Sequence, residues 1–423
     1  MDLPRSVHMI GIGGIGMSAL AQLLQAHGVR VSGSDREASP TTILLGEKGI
    51  GVSIGHDSCL IPADTELLVY SDAVSADNPE RIRAHEMGIP ELSYFAMLGE
   101  VSRGVPTVAV TGTHGKTTVT GMVAKILADI GERPTAIVGS IVRDFGSNFL
   151  AGRDDLFVVE ACEYRNHLLE LSPYVLVLTN IELDHTDFFP SLEALQETFR
   201  KAIAAVPADG VIVTNPQDPN IAPLLPAARA RVVDYTRMAV GALLLPGDFN
   251  RENARAALAA AQAVVPQMSL EAGVRALASF HGSWRRFEYK GETPAGASVY
   301  DDYAHHPTAV RKTIAAARER FPGKRIVVAF HPHLHSRTES FLQEFADALD
   351  TADRAIVAPI YEARTEATHA VSNHTLAGAG QHIEAMDSFD AIRDALLHES
   401  ADTVIITMGA GDIYKVADEI TRV

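Results

Sequence analysis

The sequence predicts an α/β protein of two or three domains with Rossmann-like, parallel-sheet organisation. Three observations carry that expectation. Apolar strand-like runs alternate with helix-periodic stretches from one end of the chain to the other. The 423 residues exceed what one ordinary hydrophobic core organises. Twice, a glycine-rich turn stands between a strand-like run and a helix-like one. Composition agrees, since 47% hydrophobic and 21% charged residues make a globular balance rather than a disordered one.

The first domain opens with a strand at Val7–Ile10, a turn at Gly11–Gly16 and a helix from about Met17 to Ala26. A second strand, VRVSGSD, ends at Asp35, and further strands are expected at ELLVYS and near Ile89–Leu92. The break VSRGVP, Val101–Pro106, interrupts the pattern and sets a boundary between 1–104 and 105–280. The second domain begins with the strand PTVAVTG and a lysine-bearing loop. It continues through the β-rich runs LFVVEACEY, YVLVLTNIELDH and GVIVTN. Each run ends in polar groups, at the sheet edge where open parallel sheets bind ligands. The stretch 216–246, rich in proline and alanine, predicts no clear element, and a helix follows from Asn250 to about Ala263. The basic segment GSWRRFEYKGE marks a second boundary near Phe280. The third domain, 281–423, has strands at ASVYDDYAH, RIVVAFHPH, RAIVAPIYEA and TVIITMGAGD with helices between them.

A net charge of −17 speaks against a nucleic-acid-binding surface, although phosphate ligands held by backbone amides and a few cations remain compatible with it. Two cysteines, Cys59 and Cys162, predict no disulfide framework and no metal spacing. No signal-peptide start or membrane-long apolar run is visible, so a cytoplasmic location without membrane insertion is expected.

Gly11, Gly13 and Gly16, with Gly14 among them, form G-x-G-x-x-G between a strand and a helix. Such glycines allow a tight turn and let helix N-terminal amides approach a diphosphate, and Asp35 could accept a ligand hydroxyl. The second turn, TGTHGKTT, is the more specific. Gly112 and Gly115 let the loop wrap phosphates, with Thr113 and Thr118 beside them. Lys116 can neutralise the terminal phosphates and Thr117 can offer its hydroxyl to Mg²⁺. The spacing is a shortened form of the P-loop, because Val110 stands where the first glycine belongs. Glu160 ends the run LFVVE, and His185 lies in NIELDHTD. Both are expected at the lysine's sheet edge, as in a Mg²⁺-supported phosphoryl transfer. Two turns of this kind point to a nucleotide-carrying substrate in one and ATP in the other.

YDDYAHHPT and HPHLHSRT are dense in histidine, aspartate and arginine but lack helical H-x-x-x-H zinc spacing. A pocket for a small zwitterion fits them better, with Arg337 for a carboxylate and Asp302 or a histidine near an amine. Arg285 and Arg286 would ordinarily be solvated, but Trp284 and Phe287 beside them favour an interface position. Cys162 reads as a packing residue.

Taken in order, IGIGGIGMSALA, TGTHGKTT, EACEY, TNIELDH, RRFEY, DDYAHHPT, HPHLHSRT and GAGDI resemble successive motifs of the Mur ligase family over essentially the whole chain. The resemblance implies a UDP-binding domain, a central P-loop ATPase domain and a C-terminal Rossmann-like domain that brings an amino acid. It implies that ATP and Mg²⁺ drive the joining of L-alanine to UDP-N-acetylmuramate through an acyl phosphate, in a monomer or weak homodimer. It places Lys116 on the phosphates, Thr117 and Glu160 on one Mg²⁺, and His185 on a second. Asn250 and Arg286 would contact the adenine nucleotide and Asp302 its ribose, while Tyr303, His305, His333 and Arg337 would shape the alanine pocket. The chain departs from the family's usual pattern at Phe249, where a histidine is usual, at His331, where a glutamine is usual, and at Leu334. Its 216–246 segment is also short. Two alternatives stand beside this reading: a family branch that attaches a whole tripeptide, and a nicotinamide-dependent dehydrogenase that would use the first turn alone.

Overall fold

The computed structural model describes residues 3–362 and 370–421. Among them are three sheets. The first holds β1 (Ser6–Ile10), β2 (Arg30–Asp35), β3 (Gly51–Ile54), β4 (Leu67–Tyr70) and β5 (Glu91–Ser93), in the order β3-β2-β1-β4-β5 and all parallel. The second holds β6 (Thr107–Thr111), β7 (Pro134–Val142), β8 (Ser147–Leu150), β9 (Arg153–Glu160), β10 (Val175–Leu178), β11 (Val211–Thr214) and β12 (Arg231–Asp234). Their order is β12-β11-β10-β6-β9-β7-β8, and only the β7–β8 pair is antiparallel. The third holds β13 (Glu288–Glu292), β14 (Ser298–Asp302), β15 (Arg325–Phe330), β16 (Arg354–Val357), β17 (Ile383–Ala385) and β18 (Thr403–Met408). Here the order is β13-β14-β18-β15-β16-β17, parallel except for the β13 edge.

The central strands explain themselves. TVAVT, VLVL, VIVT and TVIITM are short, rich in β-branched residues and buried along their whole length, as strands covered on both faces must be. The intervening helices turn one apolar face to a sheet. In Ile15–Ala26, Met17, Ala19, Leu20, Leu23 and Leu24 are buried. Among the described residues no helix is long and apolar enough to cross a membrane.

The chain forms two compact units. The first contains both the five- and seven-stranded sheets, with residues 1–181, 195–241 and 254–277. The second contains the six-stranded sheet and gathers in 182–194 and 242–253. Several elements differ from expectation. The first helix begins at Ile15 rather than Met17, and β3, β7, β8, β12 and β17 lie where the periodicity predicts no strand. The segment GSWRRFEYKGE is not merely a linker, because its second half is the edge strand β13, which carries a bulge. The run RAIVAPIYEA is a strand only at Arg354–Val357, and its last residue, Ala363, lies outside the described residues.

Candidate active site

In the first sheet the strand order reverses beside β1, the place where an open parallel sheet leaves a crevice at its carboxyl edge. The chain leaves β1 through Gly11, whose φ of 76° favours glycine. The Gly11 and Ile12 amides donate to the Ser34 carbonyl at 2.8 and 3.0 Å. Gly14 caps the following helix, and a Cβ on Gly16 would sit 2.6 Å from the Tyr94 hydroxyl. Asp35 does something more local than expected: its Oδ2 accepts the Gly13 amide at 2.8 Å and so braces the turn. Beneath the turn, the Ser34 hydroxyl donates to the fully buried Glu80, whose carboxylate also holds His8 and His56 at 2.8 Å each.

The second turn lies at the end of β6, between neighbours β10 and β9. Gly112 has φ 121°, and a Cβ there would meet the Thr179 hydroxyl at 2.2 Å, so only glycine fits. Gly115 caps the helix Lys116–Asp129 in the left-handed region at φ 86°. Asn180 holds the loop from below. Its carbonyl accepts the Thr113 amide and its Oδ1 the His114 amide, both at 3.0 Å. Lys116 Nζ lies inside the loop, 2.6 Å from the Gly112 carbonyl and 3.0 and 3.1 Å from the two Glu163 oxygens. Burial disfavours this ammonium, but Glu163, then Cys162 and Glu160, raise its pKa above the ordinary lysine value and keep it charged. Burial pushes the Cys162 thiol up to about 12, which leaves it protonated and inert as expected of a packing residue.

Thr117 and Glu160 meet: the hydroxyl donates to Oε1 at 3.2 Å, and the Gly139 amide donates to Oε2 at 2.9 Å. A hydroxyl and a carboxylate oxygen converging beside a phosphate-type loop form a hard-oxygen set that suits Mg²⁺. Lys116, Thr117 and Glu160 are thus brought together in the first unit. His185, Asn250, Arg286, Asp302, Tyr303, His305, His333 and Arg337 belong to the second.

In that second unit, Asp184 and Arg337 form a buried ion pair, with Nε and Nη2 of the arginine 3.0 and 2.7 Å from Oδ1. Burial opposes the Asp184 charge, yet Arg337 above all holds its carboxyl well below the usual range. Arg337 Nη1 donates to His333 Nδ1 at 3.1 Å, so the arginine expected to bind a ligand carboxylate is already engaged on two sides. His305 is kept neutral by burial and by Arg337. Its Nδ1 donates to the Tyr303 carbonyl at 2.8 Å, which leaves Nε2 as the acceptor nitrogen. The His185 amide donates to Asp184 Oδ1 at 2.7 Å, with the histidine at φ 53°.

Asp302 accepts the Phe287 and Ala304 amides at 2.7 and 2.8 Å, one on each oxygen, and Asn250 donates to the Pro246 carbonyl. Arg285 is not solvated. It is buried against Asp301 at 2.8 Å and donates to the Gly409 and Gly411 carbonyls. The Arg286 guanidinium lies 5.0 Å from the Tyr303 ring centre. Phe249 packs on Gly247 and the core of the six-stranded sheet, an apolar buttress where the resemblance leads one to expect a polar group. His331 is buried between the edges of Tyr361 and Phe389, and Gly411 alone leaves room for its ring. Leu334 begins a short helix at φ 70°, an uncommon conformation for a branched side chain.

Sequence reasoning did not single out Glu163, Asn180, Gly139 or Tyr94. Glu163 had a readable signal: it follows Glu160 in the same polar run, and a lysine in a buried loop needs a counter-charge.

Three family models match the chain in succession: "Mur ligase family, catalytic domain" over residues 6–105, "Mur ligase middle domain" over 110–242, and "Mur ligase, glutamate ligase domain" over 285–411. The chain is 37% identical to a UDP-N-acetylmuramate–L-alanine ligase of Acetivibrio thermocellus, over 98% of this chain and 95% of that protein. It is 35% identical to the enzyme of that name from Clostridium botulinum, over 99% and 97%. Among solved structures it is similar to the UDP-N-acetylmuramate–alanine ligase of Thermotoga maritima, with a TM-score of 0.83 and 27% identity over 99% of this chain and 98% of that one. A murein peptide ligase of Psychrobacter arcticus shares the fold at a TM-score of 0.74 and 22% identity, over 99% of both chains.

Proposed function

The chain belongs to the Mur ligase family, and from that premise we propose that it joins L-alanine to the carboxylate of UDP-N-acetylmuramate at the expense of ATP. The observation that carries this reading is a glycine loop whose Lys116 is paired with Glu163 and whose Thr117 meets Glu160 at the end of β9, in the same compact unit as another glycine turn. A dehydrogenase has no use for the first group, and an ATPase alone has no use for the second.

The sugar-acid carboxylate attacks the γ-phosphorus of ATP, ADP leaves, and an acyl phosphate results. The alanine amine then attacks the activated carbonyl, and the tetrahedral intermediate collapses with loss of inorganic phosphate. Lys116 lends positive charge to the transferring phosphoryl group, and Glu163 holds that ammonium in place. Thr117 and Glu160 are the residues that would hold Mg²⁺, which when bound supplies charge neutralisation at the phosphates. His185 is a candidate for a second ion. In the second unit, His305 presents a neutral Nε2 able to accept a hydrogen bond from the alanine ammonium. His333, Tyr303 and Arg337 would complete that pocket, and Asn250, Arg286 and Asp302 would face the adenine nucleotide. Reaction in the cytoplasm fits these nucleotide substrates.

The deciding experiment is phosphate release by the purified chain with ATP, Mg²⁺ and UDP-N-acetylmuramate against a panel of single amino acids and the murein tripeptide. Release with L-alanine and not with the tripeptide is expected. Release with the tripeptide alone would move the chain to the other branch, and none with either would end the ligase reading.

A further inference from the structure

We infer that the Tyr94 hydroxyl receives the carboxylate of the UDP-linked sugar acid and presents it to the phosphate loop. This rests on the ligase reading and adds to it a residue that none of the motifs contains.

Tyr94 opens the helix Tyr94–Ser102, whose first turn is fixed by the Ser93 hydroxyl accepting the Ala96 amide at 3.1 Å. Its hydroxyl lies directly on the first glycine turn, since a Cβ on Gly16 would be 2.6 Å from both Oη and Cζ. That helix is docked on the segment that follows Glu160. Phe95 stacks on His167 with ring centres 3.7 Å apart and planes 12° from parallel. Farther along, Gly99 lies so near the Glu170 carbonyl that a Cβ would come within 2.6 Å of it. Tyr94 therefore touches the turn expected to hold the UDP moiety, while its helix is anchored just beyond the carboxylate expected to hold the metal.

The turn and the seven-stranded sheet are themselves tied together through buried polar side chains. Asn148, at the edge strand β8, donates to the Ile15 carbonyl and to the Ser18 hydroxyl at 3.0 Å. Gln22 donates to Asn148 Oδ1 at 3.2 Å and accepts from Ser147 at 3.3 Å. Such a satisfied buried network fixes geometry more than it adds stability. The turn and the sheet that carries the phosphate loop are thus held in fixed relation, with the Tyr94 hydroxyl against the turn.

Chemistry agrees. A carboxylate only accepts hydrogen bonds, so its partner must be a donor. The Tyr94 hydroxyl has no hydrogen-bond partner among the described residues. Burial first, then the nearby Glu160 and Cys162, raises the phenol above its usual value, so it stays a donor at any working pH.

The test is Tyr94→Phe, which keeps the ring that packs on Gly16 and removes only the hydroxyl. Phosphate release should show kcat/KM for UDP-N-acetylmuramate lower by about 10- to 100-fold, the usual worth of one hydrogen bond to a charged group. KM for ATP should stay within about twofold. The affinity for UDP alone, which lacks the carboxylate, should match wild type in a calorimetric titration. Unchanged kcat/KM for the acid overturns the proposal. So does an equal loss of UDP affinity, which would make Tyr94 a packing residue of the turn. If wild type itself releases no phosphate with this acid and L-alanine, the ligase reading fails first and the assignment with it.

Discussion

Lys116 and His331 show opposite ways of treating a buried titratable group. Lys116 is charged because Glu163 meets it with both oxygens, so the loop carries an ion pair that a phosphate can rearrange. His331 is uncharged. Burial first, then Arg285, lowers its pKa to about 4, and its Nδ1 has no hydrogen-bond partner among the described residues. The folded state therefore holds His331 neutral, whereas the unfolded chain takes up a proton below the ordinary imidazole value of about 6.5. The stability tied to this residue is complete above that value and is lost as pH falls from about 6.5 toward 4. Linkage puts the loss at about 2 kcal/mol between pH 7.5 and 5. His331→Gln should flatten that part of the profile, as read by denaturant midpoints across pH. An unchanged slope would mean that other groups dominate it. At this scale Lys116, Thr117 and Glu160 were legible because loop spacing and a strand end mark them. Asn180 and Tyr94 were not singled out, because contacts 66 and 78 residues apart arise only on folding.

Among the elements, β7 repays attention although the periodicity predicts no strand there. Its Gly139 donates to Glu160, and a Cβ at this position would lie 2.2 Å from the carboxylate. Gly139→Ala should displace Glu160 and lower kcat by about 100-fold, the typical result of a misplacement near 1 Å. The buried strand around it should still form, so thermal stability should fall far less than activity. A variant with normal kcat would free Glu160 from any need for this geometry. PTAIVGSIV is apolar and β-branched, as a strand buried in this sheet must be. What its sequence does not show is that it joins the sheet two places from β6, beyond β9. Likewise β12 is a four-residue, half-exposed edge strand, and such strands leave little periodic signal.

Over the whole molecule, the division into two compact units does not follow the three sheets. The first two sheets share a unit, and the polar network at Asn148 links them. Calorimetry should therefore resolve two transitions rather than three. UDP-N-acetylmuramate and ATP–Mg²⁺ should each raise the one belonging to the first unit, by about 2.7 kcal/mol at one hundred times Kd. Lys116→Ala should abolish the shift from ATP and keep the shift from the UDP-acid. Loss of both would mean that the two turns do not bind separate ligands.

The sequence by itself determined the α/β class, the two glycine turns with their lysine, threonine and glutamate, and the ordered motifs of one ligase family. Each of these is written in local spacing, because strands, turns and helix starts are decided by residues a few positions apart. Only the tertiary structure decided that Asp35 braces its own turn, that Arg285 is a buried partner of Asp301, and that Arg337 is already paired with Asp184. The fate of a charged side chain is set by what is brought within about 3 Å of it, and distant strands supply those neighbours.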